Sequence, residues 1–122
     1  MILAVNISGD QIGGGLGHAH TMAVADVQDR EVKSWEEFEV RWDQSHPSGG
    51  HGEAHGEGGS HGSHHARIVR FMREHNVEAL VTGNIGDPMA HTLDLMGIDI
   101  VTASGNAKEL AVAAVDALAA EG

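Results

Sequence analysis

The alternation of apolar and polar residues along the chain predicts an α/β domain that opens with three strands. Residues 2–7, ILAVNI, form an apolar run followed by the turn residues SGD, which is typical of a buried strand. After a flexible glycine-rich loop at 13–17, residues 20–27 predict a second strand, and residues 31–42 alternate with the period of a half-buried third strand. The residues predicted to share its buried face are Val32, Phe38, Val40 and Trp42.

The second half of the chain alternates helices with strands. Apolar residues at helical spacing predict an amphipathic first helix. Asp87 before Pro88 predicts the N-cap of a second helix, and Asn106 with Glu109 predicts a capping box before a third. The predicted elements are helices at 64–75 and 88–96, strands at 79–83 and 98–102, and a final helix after Asn106.

The resulting order, βββαβαβα, predicts a mixed five-stranded sheet flanked by helices, in one domain that spans residues 1–122. Helical crossovers join parallel strands, so the later strands are expected to be parallel. If the first and fourth strands are neighbours, the segments 6–18 and 83–87 meet at the carboxyl edge of the sheet. Open parallel sheets bind their ligands at such an edge.

Residues 45–65, the histidine-rich segment, differ from the rest of the chain because histidine and glycine dominate their composition. Such a segment cannot pack, so it predicts a long flexible loop that opens at the same edge of the sheet. Imidazole is largely neutral at pH 7 and is a good ligand for Zn, Ni, Cu or Fe. The alternative interpretation is a solvated spacer. The candidate metal ligands are His46, His51, His55, His61, His64 and His65.

Two shorter motifs lie at the predicted edge. His18 and His20 are two residues apart, so on a strand they would point the same way and converge on one ion above Met22; the alternative is a pair of exposed histidines. The turn GNIGDP at 83–88 joins a strand to a helix N-terminus, which suits an anion such as a sulfide or oxo group, although it is also an ordinary capped turn. The candidate cofactor-binding residues are His18, His20, Gly83, Asn84 and Gly86.

Composition excludes several classes of function. The chain has 7 Lys and Arg against 18 Asp and Glu, a formal charge of -11, which repels nucleic acid and anionic lipid. It has no cysteine, which excludes disulfides, thiolate-held clusters and cysteine nucleophiles. No run approaches the roughly 18 apolar residues of a membrane span, so a cytoplasmic protein is expected. No motif requires a catalytic site, so we do not expect an enzyme.

Three stretches of the sequence are informative together: residues 16–27 (LGHAHTMAVADV), 79–86 (ALVTGNIG) and 95–101 (LMGIDIV). In their order and spacing they resemble the dinitrogenase iron-molybdenum cofactor biosynthesis family of the NifX, NafY and NifB C-terminal type. The resemblance implies a ribonuclease-H-like fold with a mixed five-stranded sheet. It also implies that the protein binds, carries or inserts an iron- or molybdenum-containing cofactor. The chain departs from the family pattern at His18, where arginine is usual, and at Asn84, which replaces the first glycine of GGIG.

The leading hypothesis is a carrier in which segment 9–20, the histidine-rich segment and turn 83–87 enclose an anionic metal-sulfide or metal-oxo cluster. Its expected partners are the metallocofactor and a donor or recipient metalloprotein, with the oligomeric state left open and a monomer favoured. One alternative is a buffer or metallochaperone that binds Ni, Zn or Cu ions without a cluster. A third hypothesis is an interaction or regulatory protein whose metal binding is incidental.

Metal uptake through histidine should weaken steeply below about pH 6, because a protonated imidazole must release its proton before it can bind a metal. Carboxylate sites would retain metal to lower pH. Equilibrium dialysis with Ni or Zn between pH 7 and 5 measures the difference. An affinity that stays constant over this range would exclude histidine as the main ligand.

Overall fold

The computed structural model of the chain describes residues 1–40, Trp42 and 57–121, with residues 57–65, 120 and 121 described by their backbone alone. A short 3-10 turn lies at Leu16–His18. Among the described helices, none combines the length and apolar character needed to cross a membrane. The strands are β1 (Ile2–Ser8), β2 (Gln11–Ile12), β3 (Thr21–Gln28), β4 (Glu31–Glu39), β5 (Ala79–Thr82) and β6 (Asp99–Thr102), and the helices are α1 (Glu57–Glu74), α2 (Asp87–Leu95) and α3 (Ala107–Glu121).

The strands form one mixed sheet in the order β4-β3-β1-β5-β6, with β2 paired to the end of β1. β3 pairs antiparallel with both β1 and β4, whereas β5 pairs parallel with β1 and β6. The predicted α/β class, mixed sheet and adjacency of the first and fourth strands are therefore confirmed. The sheet has six strands rather than five, because β2 is only two residues long and leaves no periodic pattern in the sequence.

Side chains of the central strand β1 pack into two hydrophobic cores, one on each face of the sheet. Leu3 through Ile7 are all buried, which explains why this strand is continuously apolar rather than alternating. Ala4 packs in the core beneath α1 and α2, together with Met22 and Leu80. The other core faces α3 and contains Leu3, Val5, Ile7, Ala107, Ala111 and Ala114.

A register shift in β4 overturns the predicted face of Val32. Val27 pairs with Val32 whereas Asp26 pairs with Ser34, an offset that makes Lys33 the extra residue of an irregularity in the ladder. One extra residue exchanges the two faces of a strand, because side chains alternate with a period of two. Val32 therefore packs on the α3 side with Trp35. The residues on the opposite side are Phe38, Val40 and Trp42.

Helix α1 begins at Glu57 rather than at residue 64, so it includes part of the predicted loop. His61, His64 and His65 lie on helical backbone, which corrects the loop prediction for residues 57–65. Glycines in this stretch weaken the helical signal in the sequence. The remaining candidates of the histidine-rich segment, His46, His51 and His55, lie outside the described residues.

The sequence predicts the N-cap of α3 correctly and the N-cap of α2 incorrectly. The N-cap of α2 is Gly86 in extended conformation, so the prediction that Asp87 caps this helix is wrong. Asp87 and Pro88 instead occupy the first turn, where a carboxylate favours the positive end of the helix dipole. At α3 the predicted cap is present, because Asn106 Oδ1 accepts a hydrogen bond of 3.0 Å from the Glu109 N–H.

The loops that follow β1 and β5 meet at the carboxyl edge of the sheet. The glycine loop (residues 13–17) accepts two backbone hydrogen bonds from the turn after β5: Gly83 N–H to Gly13 O at 3.0 Å and Asn84 N–H to Gly14 O at 2.9 Å. In return, Leu16 N–H donates to Asn84 O at 3.0 Å. The glycine loop, predicted to be flexible, is thus tied to its neighbour along its length.

A buried polar pair lies beneath these two loops. The side chain of Asn6 on β1 is 2% exposed and that of Thr82 on β5 is fully buried. Asn6 Nδ2 donates to Thr82 Oγ1 at 3.0 Å and also lies 3.3 Å from Gly14 O and 3.4 Å from Gly15 O. Thr82 Oγ1 lies 3.2 Å from Gly14 O and 3.2 Å from Asn84 O. Burial of two polar side chains is therefore offset by hydrogen bonds that fix both loops.

Two glycines allow the loops to approach this closely. A Cβ atom at Gly13 would lie 2.6 Å from Asn6 Oδ1, and one at Gly83 would lie 2.5 Å from Gly13 O. Both distances are well inside van der Waals contact, and the second involves rigid backbone. At Gly14, by contrast, a Cβ atom would meet no atom within 4 Å.

Replacing Gly83 with Ala should therefore lower the free energy of unfolding by about 1–3 kcal/mol, the usual cost of forcing atoms into a packed site. Gly14→Ala is the matched control, and its stability should equal or slightly exceed that of the wild type because alanine restricts the unfolded chain. Urea unfolding of the two variants measures both values. Equal stability of the two variants would contradict the close approach at Gly83.

Thr82→Val keeps the shape of the side chain but removes its hydroxyl, so the Asn6 amide loses an acceptor and one of the Gly14 and Asn84 carbonyls loses a donor. The free energy of unfolding should fall by about 1–3 kcal/mol. Thr82→Ser is the control, since it retains the hydroxyl and loses only a methyl group. A valine variant more stable than the serine variant would show that the hydrogen bonds contribute little.

Candidate functional site

An open cleft of about 190 Å³ lies beside the glycine loop, on the carboxyl edge of β1. Its lining includes Asn6, Ser8, glycines 13–15, His18 and His20. The site is thus formed by the end of β1, by the imidazoles of His18 and His20, and by Gly13, Gly14 and Gly15, which we call the glycine wall. We call it the edge cleft.

The edge cleft differs in charge from the chain as a whole. The protein has a formal net charge of -11. Within the part of the chain that the structure describes, the residues lining the cleft include no Asp, Glu, Lys or Arg. Such a lining suits an anionic or neutral ligand better than a hard cation such as Mg²⁺ or Ca²⁺, which prefers oxygen ligands.

His18 and His20 both line the edge cleft, in a geometry that differs from the predicted strand. His18 ends the 3-10 turn, and β3 begins only at Thr21, so the two histidines do not share one strand face. Both side chains are exposed, whereas Ala19 between them is 4% exposed and anchors the segment in the core. Met22, predicted to lie beneath the histidines, is fully buried among apolar side chains.

The other candidate residues, Gly83, Asn84 and Gly86, are exposed but are not among those that line the edge cleft. Gly83 and Asn84 bond to the glycine loop through their backbone, and Gly86 caps α2. The turn therefore supports the glycine loop through backbone hydrogen bonds. Its geometric role is to hold the wall of the site.

Sequence reasoning missed Asn6 and Thr82, the two buried polar residues that join the wall to the sheet. A signal was available, because each is a polar residue inside an otherwise apolar strand. A buried polar side chain needs a partner, so two of them at the ends of adjacent strands predict a contact.

Histidines outside the edge cleft have other surroundings. The His75 ring packs against Phe38 and Phe71, with ring centroids 4.6 and 4.5 Å apart. His91 is exposed on α2. Across the residues whose side chains are described, no group of three or more His, Asp or Glu is arranged to hold a metal ion.

Comparison with solved structures supports the fold. The crystal structure of the protein PH0822 has a TM-score of 0.65 at 19% sequence identity, over 94% of this chain and 89% of that chain. A Methanocaldococcus jannaschii protein provisionally named a dinitrogenase, in its crystal and NMR structures, has a TM-score of 0.57 at 19% identity, over 93% of this chain and 89% or 88% of that chain. At this identity the likeness shows the fold alone.

Comparison with family models identifies the family of the chain, which the structural comparison alone does not. No protein of curated function matches the chain. Residues 1–118 match the model of the family described as dinitrogenase iron-molybdenum cofactor. Since this match spans nearly the whole sequence and confirms the resemblance of the three motifs, the protein belongs to the dinitrogenase iron-molybdenum cofactor family.

Proposed function

We propose that the protein binds and delivers an anionic metal-sulfur cofactor containing iron, molybdenum or both, as a carrier in metallocofactor assembly and not as an enzyme. The observation that supports this most directly is the edge cleft, where His18 and His20 lie beside the glycine wall and no carboxylate is among the described residues of the lining. Family membership associates the chain with the iron-molybdenum cofactor. The cluster is the cargo of the protein, held for transfer.

The chemistry of the described residues favours a cluster over a free ion. Two imidazoles alone leave most of the coordination positions of a divalent ion to solvent. A preformed cluster already has its own sulfide ligands, so it needs from the protein only one or two imidazoles and hydrogen-bond donors around its anionic surface. His18 and His20 can supply either, as ligands or as N–H donors.

An open cleft also suits transfer. A structural metal site encloses its ion, whereas a carrier must release its cargo to a recipient metalloprotein. The exposure of both imidazoles leaves one side of the cargo accessible to that partner. We further propose that the carrier acts in the cytoplasm as a monomer, and that the five longer strands and three helices form the ribonuclease-H-like fold that the family resemblance implies.

The alternative of a Ni, Zn or Cu buffer rests on the histidine-rich segment. Three of its candidate ligands lie outside the described residues, and the other three lie on α1, described by backbone alone. We propose that these histidines assist in capturing metal, with the edge cleft as the site that retains a cluster.

Replacing His18 and His20 together with Ala should abolish retention of a discrete cluster and leave stability nearly unchanged, because both side chains are exposed. His91→Ala is the matched control, since it removes an exposed histidine from α2 outside the cleft. Native mass spectrometry after incubation with tetrathiomolybdate and iron measures intact adducts.

The carrier proposal predicts a cluster on the wild type and the His91 variant, and none on the double variant. The same double variant should keep most of its capacity for Ni or Zn. If the wild type takes up only a variable number of bare ions and never a discrete cluster, the buffer is the better description.

A further inference from the structure

The glycine loop turns successive carbonyl groups toward one side. Gly13 O accepts a hydrogen bond from Gly83 N–H, and Gly14 O accepts one from Asn84 N–H. Gly14 O also lies within 3.3 Å of Asn6 Nδ2 and 3.2 Å of Thr82 Oγ1. Two consecutive carbonyls therefore point toward β5 and its turn, an arrangement that a regular strand does not have, because its carbonyls alternate in direction.

The orientation of these carbonyls fixes the direction of the next N–H groups. In a planar trans peptide the C=O of one residue and the N–H of the next point in opposite directions, and the described chain has no cis peptide bond. The Gly14 N–H therefore points in the direction opposite to the Gly13 carbonyl. In the same way, the Gly15 N–H points in the direction opposite to the Gly14 carbonyl. Both N–H groups point away from the turn at Gly83.

The edge cleft borders this part of the glycine loop. Its lining includes Gly14 and Gly15 but not Gly83 or Asn84. Among the described residues, the backbone bonds that anchor the glycine loop use the N–H groups of Gly13 and Leu16, not those of Gly14 and Gly15. Successive N–H groups that face one concave surface form a binding site for anions.

We infer that the N–H groups of Gly14 and Gly15 form a donor wall that binds the oxo or sulfido face of an anionic metal species, with Asn6 and Thr82 holding the wall in place through their hydrogen bonds to the Gly14 carbonyl. This inference rests on the proposed function for the nature of the cargo. It assigns the two imidazoles and the glycine wall different tasks, since His18 and His20 contact metal or sulfur from one side and the backbone donors receive negative charge from another. A tetrahedral oxoanion or thioanion has the same donor requirement as the face of a larger cluster.

Gly15 offers a direct test because its φ angle of -75° falls within the range that proline adopts. Gly15→Pro removes the N–H group itself, and the preceding glycine tolerates the restriction that proline imposes. Gly15→Ala is the matched control, because it retains the N–H and its Cβ would lie at an ordinary 3.6 Å from the His18 ring. Isothermal titration with tetrathiomolybdate, and separately with molybdate, should show affinity about tenfold or more weaker for the proline variant than for the alanine variant. Equal affinities of the two variants would overturn the donor wall.

A measurement on the wild type makes the test independent of whether the proline variant folds. In protein labelled with nitrogen-15 at glycine, the amide resonances of Gly14 and Gly15 should shift downfield on addition of tetrathiomolybdate, more than that of Gly83. Unchanged Gly14 and Gly15 resonances in the presence of bound anion would overturn the inference.

The experiments can contradict the donor wall without contradicting the carrier function, and the reverse. If a preformed cluster is retained equally by the Gly15→Pro and Gly15→Ala variants, the donor wall is wrong and the carrier function stands. If no cluster is retained but simple thioanions bind with the predicted dependence on Gly15, the carrier function is wrong and the donor wall stands.

Discussion

The hydrogen bond between Asn6 and Thr82 is the constraint on which the site depends. It joins two adjacent parallel strands just beyond the last pair of their ladder, Val5 and Val81, and the described side chains buried around it are apolar. A buried amide without partners would cost about 1–3 kcal/mol, so the surrounding backbone must supply acceptors. Gly14 and Gly15 supply them, which orders a stretch of chain that glycine would otherwise leave mobile. The order of the cleft wall is thus a consequence of satisfying one polar pair in the core.

Much of the fold could be predicted because the decisive elements have strong local patterns. The apolar run of β1, the spacing of apolar residues in α1 and the cap at Asn106 each identified an element without tertiary information. What could not be predicted depends on contacts between distant segments. The two-residue strand β2 exists only because it pairs with β1, and the extra residue at Lys33 is visible only from the register of β4 against β3.

The candidate site was predictable in place but not in detail. The rule that ligands bind at the carboxyl ends of parallel strands pointed to this edge of the sheet, and the structure has a cleft there that His18 and His20 line. The sequence could not show which residues line the cleft and which only support its wall. The reason is that hydrogen bonds between backbone atoms do not depend on residue type. Gly13 and Gly83 are informative only once the distance between the two loops is known.

The position of β1 in the middle of the sheet also has a consequence for the order in which the molecule forms. β1, β3 and β4 are neighbours in sequence and can pair as soon as the first forty residues are available, whereas β5 must cross the intervening segment and α1 before Ala79 can pair beside Leu3. Contacts between distant residues close loops at an entropic cost and therefore form late. The glycine loop acquires its shape only when Thr82 and Asn84 arrive. A newly made chain that has formed only its first three long strands therefore lacks the contacts with Thr82 and Asn84 that shape the cleft.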